Sequence, residues 1–217
     1  MKTKYFIKEL YKMNTLLKQD VIISIDVETT GESPCTSSCV MIGLAVMRNI
    51  DPNSNIENLI LEKKSWCIKE ITNRPPSDRC WNEFWLKNIS VWNHIKNNAV
   101  EVEIVMKDFA DFYADLLSKY NCKFVAAPAS FDWQWIKCIY DEFGPKNKID
   151  LPFSIECYSS IKRLAIQLGL ERKFIDQLTT HQDFPHTHFA HDDAVEQGYA
   201  YLQLVYWLKN NVNFKNK

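Results

Sequence analysis

The run Val21-Ile22-Ile23-Ser24-Ile25-Asp26-Val27-Glu28-Thr29-Thr30-Gly31 constrains this chain most. β-favouring residues lead into two carboxylates, and Gly31 ends the stretch, so it reads as a short buried strand closing in a turn. Strand side chains alternate, which places Asp26 and Glu28 on one face. Two carboxylates side by side repel, and one would be held protonated unless a divalent cation neutralised them. An all-oxygen pair suits a hard ion, Mg²⁺ or Mn²⁺. The competing reading is an acidic strand end facing water, and this motif alone does not separate the two.

The chain has 217 residues, 46% hydrophobic and 24% charged, which points to one domain with a substantial core. Its formal net charge of −1 excludes a broad basic field for long nucleic acid, so any such contact must be local, short or metal-assisted. The 7 cysteines include no Cys-x-x-Cys pair, which suits free thiols in a reducing, cytoplasmic compartment. A zinc knuckle built from Cys35, Cys39, Cys67 and Cys80 is the alternative. No apolar run reaches membrane-spanning length, so a membrane partner is not expected. Phe6, Ile7, Leu10, Leu16 and Leu17 make residues 1–20 an amphipathic helical extension; an organelle presequence is the other reading of this lysine-rich segment. Residues 21–210 form the single domain, and 211–217 a tail.

Cys39–Met47 predicts a second strand, with Gly43 marking a close approach. A third strand is expected at Leu59–Leu61 or Ser65–Ile68, completing an antiparallel meander. Ser77 caps a helix from Asp78 to about Lys87 that carries Trp81, Phe84 and Trp85 on one face. A short helix follows near Val91–Asn97, then a strongly amphipathic one from Val102 to Tyr120. Lys123–Ala127 is a strand stopped by Pro128, and Ser130 caps the next helix, where Asp132, Trp135, Ile136 and Ile139 share a stripe. This strand-to-helix order implies a parallel crossover. Cys157–Leu168 is a helix closed by Gly169, Gln177–Phe189 a polar loop, and Ala190 to about Asn210 a final helix with Ala194, Gly198, Leu202, Val205 and Leu208 inward.

Acidic residues therefore recur at element ends: Asp26 and Glu28 on the first strand, Asp132 at a helix start, and Asp193 in the first turn of the last helix. His188 lies five residues before Asp193. The order Asp-x-Glu, strand-to-helix Asp, His-x4-Asp resembles the DEDDh (DnaQ-like) 3′→5′ exonuclease family of the RNase H-like superfamily, over roughly residues 21–208. The tryptophans after the third strand and the Phe131-Asp132 pair also look like the phage-type exodeoxyribonuclease and mycobacterial exoribonuclease branch. The resemblance implies an α/β fold: a central mixed five-stranded sheet with an antiparallel three-strand meander, flanked by helices.

It also implies an activity. Two divalent ions, Mg²⁺ or Mn²⁺, would be held by Asp26, Glu28, Asp132 and Asp193, with His188 as general base. Attack would fall on the last phosphodiester at the 3′ end of single-stranded DNA or RNA and release 5′-mononucleotides. The backbone from Thr29 through Thr30 to Gly31 would approach the terminal sugar. Some relatives form homodimers, though no residue pattern here marks a seam. Phe131 and Trp133 are candidates to stack on a base, with a core role equally open for each. Trp81, Trp85 and Trp135 are expected in the core. Three alternatives stand beside this reading: a catalytically silent RNase H-like binding domain, action on small phosphodiesters, and a zinc site made from His186, His188 and His191.

Overall fold

The computed structural model describes residues 18–212. Its centre is a five-stranded sheet in the order β3-β2-β1-β4-β5. β1 (Gln19–Thr29), β2 (Cys39–Arg48) and β3 (Ile60–Cys67) form the antiparallel meander, and the third strand overlaps both of the alternative segments expected from the sequence. β4 (Tyr120–Ala126) and the two-residue β5 (Glu156–Cys157) add on in parallel to β1. The mixed sheet expected from the resemblance is thus the one observed.

Helices cover both faces. α1 (Asp78–Cys80) runs into a π-helical turn at Trp81–Trp85, followed by α2 (Ile89–Asn98) and α3 (Val102–Lys119). α4 (Ala129–Phe143) follows β4, and α5 (Tyr158–Gln167), α6 (Arg172–Thr179) and α7 (Ala190–Asn211) complete the chain. Strand alternation divides the core. Val21, Ile23, Ile25 and Val27 of β1 pack with α3 and α4 around Phe109, Trp135 and Ile136. Ile22 faces the opposite layer with Ala45 and Met47, against Ala194 and Leu202 of α7. Asp26 and Glu28, in phase with Ile22, therefore point toward α7.

Several sequence expectations change. β1 begins at Gln19, so residues 18–20 are not helical; the rest of the expected N-terminal extension, and residues 213–217 of the tail, lie outside the described residues. Ser130 does not cap α4: Pro128 occupies the cap position and the helix has begun by Ala129. Proline fits there because its missing N–H costs no helical bond at a helix start. β5 and α6 were not anticipated, since a two-residue strand has no periodicity to read and Arg172–Thr179 is mostly polar. α6 also takes in Gln177–Thr179, the first part of the segment read as a loop. Gly169 does close α5: at φ 104° it lets its own amide reach the Ile166 carbonyl at 3.0 Å and that of Leu170 reach Ala165 at 3.1 Å.

Cys35 is exposed and Cys39 fully buried, and among the described residues the cysteines form no cluster able to hold an ion. Burial pushes the Cys39 thiol far above its ordinary range, and its Sγ donates to the Met41 carbonyl. The zinc knuckle is therefore replaced by separate thiols. No helix among the described residues is long and apolar enough to cross a membrane.

Candidate active site

The site forms where β1 ends under the start of α7. Asp26 pairs in register with Gly43 of β2, and the backbone of Ala190 and His191 lies directly on that glycine. A Cβ at position 43 would sit 2.0 Å from the Ala190 carbonyl carbon. Only glycine lets the helix start come so near the sheet, and the helix then carries Asp193 down beside the strand carboxylates. One oxygen each from Asp26, Glu28 and Asp193 lie within 4.8 Å of one another. Gln197, one turn beyond Asp193 on the same helix face, donates its side-chain amide to Asp26 Oδ1.

Asp132 approaches from the first turn of α4, where β4 delivers the chain next to β1. It is buried, and its Oδ2 has no hydrogen-bond partner. The electrostatics follow from four acids in a dry place. Burial is the main force raising the Asp26 carboxyl well above the usual range, aided by repulsion from Asp132, Glu28 and Asp193 and opposed by the Gln197 hydrogen bond. Glu28 is raised by burial first and then by Asp193 and Asp132. Asp132 is raised to about 7 by burial, against backbone hydrogen bonds that favour its charge. Among the described residues, the charges acting on Asp26 and Glu28 are those of other carboxylates.

The Asp193 carboxylate also shapes the loop before α7. Its Oδ1 accepts the Thr187 amide at 2.8 Å and its Oδ2 the His188 amide at 3.0 Å. His188 has φ 62°, in the left-handed region that few residues other than glycine enter. Its imidazole packs edge-on against Phe84, with ring centroids 5.0 Å apart, and against His186 at 4.6 Å. Partial burial, and then His186, lower the His188 pKa below its ordinary 6.5, while Asp193 opposes them.

A groove of about 430 Å³ opens next to Glu28, lined in part by Thr29, Gly31, Phe84 and Phe131. Thr29 Oγ1 donates to the Gly31 carbonyl at 2.7 Å. The fully buried Thr30 ties the turn to Ser38 through its amide at 2.8 Å. The Thr29 carbonyl accepts from Trp85 Nε1 at 3.1 Å, so the π-helical turn is pinned to the end of β1 with Phe84 facing the groove. Phe131 thus borders open space. Trp133 does not: it is buried in the main core against Phe124, centroids 5.0 Å apart, so it has the core role and not the base-stacking one. Trp85 and Trp135 are fully buried, and Trp81 packs edge-on to Trp92.

The structure brings together Asp26, Glu28, Asp132, Asp193 and His188, with Thr29, Gly31 and Phe131 at the adjoining groove. His191 lies apart: its Nε2 is 3.6 Å from Asp192, and Asp193 joins His186 and His188 in its place. Phe84 and Gln197 carry no motif of their own in the sequence: Phe84 only shares a helix face with Trp81 and Trp85, and the i+4 offset of Gln197 from Asp193 is its one signal. His186, which the sequence offers only as part of a zinc site with His188 and His191, lies beside His188 and Asp193.

This donor set fits divalent hard ions: buried carboxylate oxygens, an unpartnered Asp132 Oδ2, and raised pKa values that a cation would reverse. No protein-family model and no curated protein matches the chain. Solved structures do. The nuclease domain of 3′hExo, a DEDDh family member bound to rAMP, is 16% identical with a TM-score of 0.59, covering 87% of this chain and 92% of that one. Cell-death related nuclease 4 (CRN-4) is 17% identical with a TM-score of 0.58, and the match spans 88% of this chain but only 65% of CRN-4. A 3′-exonuclease described in 3′-end specific recognition of histone mRNA stem-loop is 15% identical with a TM-score of 0.56, covering 87% and 83%. The chain therefore shares the RNase H-like fold of the DEDDh exonuclease domains.

Proposed function

We propose that this protein is a metal-dependent 3′→5′ exonuclease that removes 5′-mononucleotides from single-stranded nucleic-acid ends. The observation that carries the reading is the meeting of Asp26, Glu28 and Asp193 oxygens within 4.8 Å, beside a buried Asp132 and with His188 held by the Asp193 carboxylate. A second support is the shared fold, since the neighbouring structures are nucleases, one of them bound to rAMP. Two Mg²⁺ or Mn²⁺ ions held by Asp26, Glu28, Asp132 and Asp193 would supply charge stabilisation on the phosphate and lower the pKa of the attacking water.

The rest falls to the protein's own groups. His188 accepts the proton of the attacking water, and its lowered pKa keeps the imidazole neutral and ready at pH 7. Asp193 orients that base by holding the His188 amide. Gln197 fixes the Asp26 carboxylate. The groove beside Glu28 takes the 3′-terminal nucleoside, with the Thr29–Gly31 backbone along its sugar and Phe84 and Phe131 beside its base. A silent binding domain is disfavoured by the full set of four acids, whose burial is costly unless a cation compensates it.

The test is digestion of matched 5′-labelled DNA and RNA oligonucleotides with Mg²⁺ or Mn²⁺. A ladder shortening from the 3′ end, halted by a 3′-phosphate and lost in Asp26→Asn, is expected; full activity in Asp26→Asn refutes the reading. The comparison of the two polymers also decides the sugar preference, through how a 2′-OH is met in the groove.

A further inference from the structure

We propose that His186, His188 and Asp193 form a second metal site, next to the carboxylate cluster, that takes Zn²⁺ and switches hydrolysis off when filled. The site itself rests on geometry; its inhibitory consequence rests on the exonuclease reading above. One donor atom from each of the three residues lies within 4.8 Å of the others. The two imidazoles meet nearly edge to face, with centroids 4.6 Å apart at 80°. His186 Nδ1 is 3.3 Å from Asp193 Oδ2 and 2.9 Å from Glu196 Oε2, so two carboxylates already face one ring nitrogen.

The chemistry of the donors separates this site from its neighbour. Asp26, Glu28 and Asp193 present oxygen alone, which suits Mg²⁺ or Mn²⁺, whereas two imidazole nitrogens with a carboxylate suit Zn²⁺. Zinc bonds of about 2.0–2.1 Å place neighbouring tetrahedral donors about 3.4 Å apart, so the set must contract slightly. His186 supplies that freedom: its side chain is 54% exposed, while Asp193 at 1% is fixed. Glu196 Oε2, 2.9 Å from the same nitrogen, gives up that contact when Nδ1 takes the ion and is then near enough to add an oxygen donor. Binding displaces any proton on His186 Nδ1 to solvent.

The consequence follows from sharing. A His188 nitrogen whose lone pair is bound to Zn²⁺ cannot accept the proton of the attacking water. Asp193, drawn to the second ion, is also less available to the first. The hard-ion site and the zinc site thus compete through one residue, and the ratio of the two metals sets activity.

The experiment uses the metal-free full chain and Zn²⁺ itself, with affinity read by competition against a chromophoric chelator. Wild type is expected to bind Zn²⁺ at least tenfold more tightly than His186→Gln, with Glu28→Gln staying close to wild type. Equal affinity in wild type and His186→Gln, or loss in Glu28→Gln alone, overturns the site. In Mg²⁺-supported digestion, each protein is compared with its own zinc-free rate. Zn²⁺ should slow wild type at a concentration at least tenfold below that needed for His186→Gln. Tight Zn²⁺ binding with no such difference overturns the inhibitory role. If no oligonucleotide is cut under any metal, the exonuclease reading fails and the inhibition with it, while the binding comparison still decides the site.

Discussion

Asp193 and His188 are joined through the backbone: the Asp193 carboxylate that faces Asp26 and Glu28 also accepts the His188 amide at 3.0 Å, and that of Thr187 at 2.8 Å. The same side chain serves the acidic cluster and holds an imidazole whose backbone sits at φ 62°. Asn at position 193 has one acceptor oxygen, so one of the two amides loses its partner, at a cost of about 1–3 kcal/mol where it stays buried. Asp193→Asn should therefore abolish hydrolysis and also speed amide exchange across 186–189. Glu28→Gln should abolish hydrolysis and leave that exchange unchanged. Identical exchange in the two variants would sink the coupling.

The metal-free protein should lose stability as pH rises. Asp26 and Glu28 have folded-state pKa values well above their ordinary ones, and Asp132 rises to about 7. Between the unfolded values near 4 and these folded values, the native state binds more protons than the unfolded chain, so stability falls with rising pH. For Asp132 the window closes at about 7. Melting in EDTA should therefore be lower at pH 8 than at pH 5 by these groups' contribution, and Mn²⁺ should raise it more at pH 8. In EDTA at pH 8, Asp26→Asn should melt above wild type because it removes a buried repelled charge. A melting temperature in EDTA that climbs from pH 5 to 8, with Mn²⁺ adding nothing, would contradict the electrostatic account.

His188 should control the acidic limb of the pH–rate profile. Its pKa lies below 6.5, so the neutral base predominates by pH 7 and activity falls only on further acidification. His188→Ala should lower the rate by about 10²–10⁴-fold and remove that limb. A variant that keeps the same limb would assign it to the carboxylates.

Much of this arrangement was legible in the chain. Period-two alternation put Asp26 and Glu28 on one face, and the His188–Asp193 spacing located the loop and helix that approach them. The lone glycine in β2 marked a close approach, and the Ala190–His191 backbone is what arrives there. Other features had no local signature. α6 is short and polar, and β5 is defined by pairing with β4 rather than by its own residues. Trp133 is off the stripe defined by Asp132, Trp135 and Ile136, yet the turn out of β4 points it at Phe124. Phe84 shares the aromatic spacing of its tryptophan neighbours, yet in the π-helical turn it borders the groove while Trp85 is buried.

Phe84 should act on binding and on chemistry together. It borders the groove and packs against His188 at 5.0 Å, so Phe84→Ala removes a base-facing ring and a support for the imidazole. Stacking on aromatic rings contributes about 1–3 kcal/mol per base, which predicts KM raised by about 5- to 150-fold with a smaller fall in kcat. Phe84→Trp should restore much of the loss. An unchanged KM in Phe84→Ala would move the terminal base elsewhere.

Gly43 tests whether the helix approach assembles the site. A methyl group there meets the Ala190 carbonyl carbon at 2.0 Å and its oxygen at 2.1 Å, and both belong to backbone that no side-chain rotation can clear. Gly43→Ala must push the start of α7 away from β2, and Asp193 moves with it while Asp26 and Glu28 stay on β1. Overpacking of this kind costs about 1–3 kcal/mol, which most domains of this size survive folded. The expected phenotype is a folded protein with a modestly lower urea midpoint, weakened Mn²⁺ stabilisation and a rate at least tenfold below wild type. Ala45→Gly, the next inward position on the same strand, serves as control: it loosens the strand without displacing the helix. If Gly43→Ala keeps both Mn²⁺ stabilisation and rate, the three carboxylates do not depend on the helix seat at β2, and their convergence has another cause.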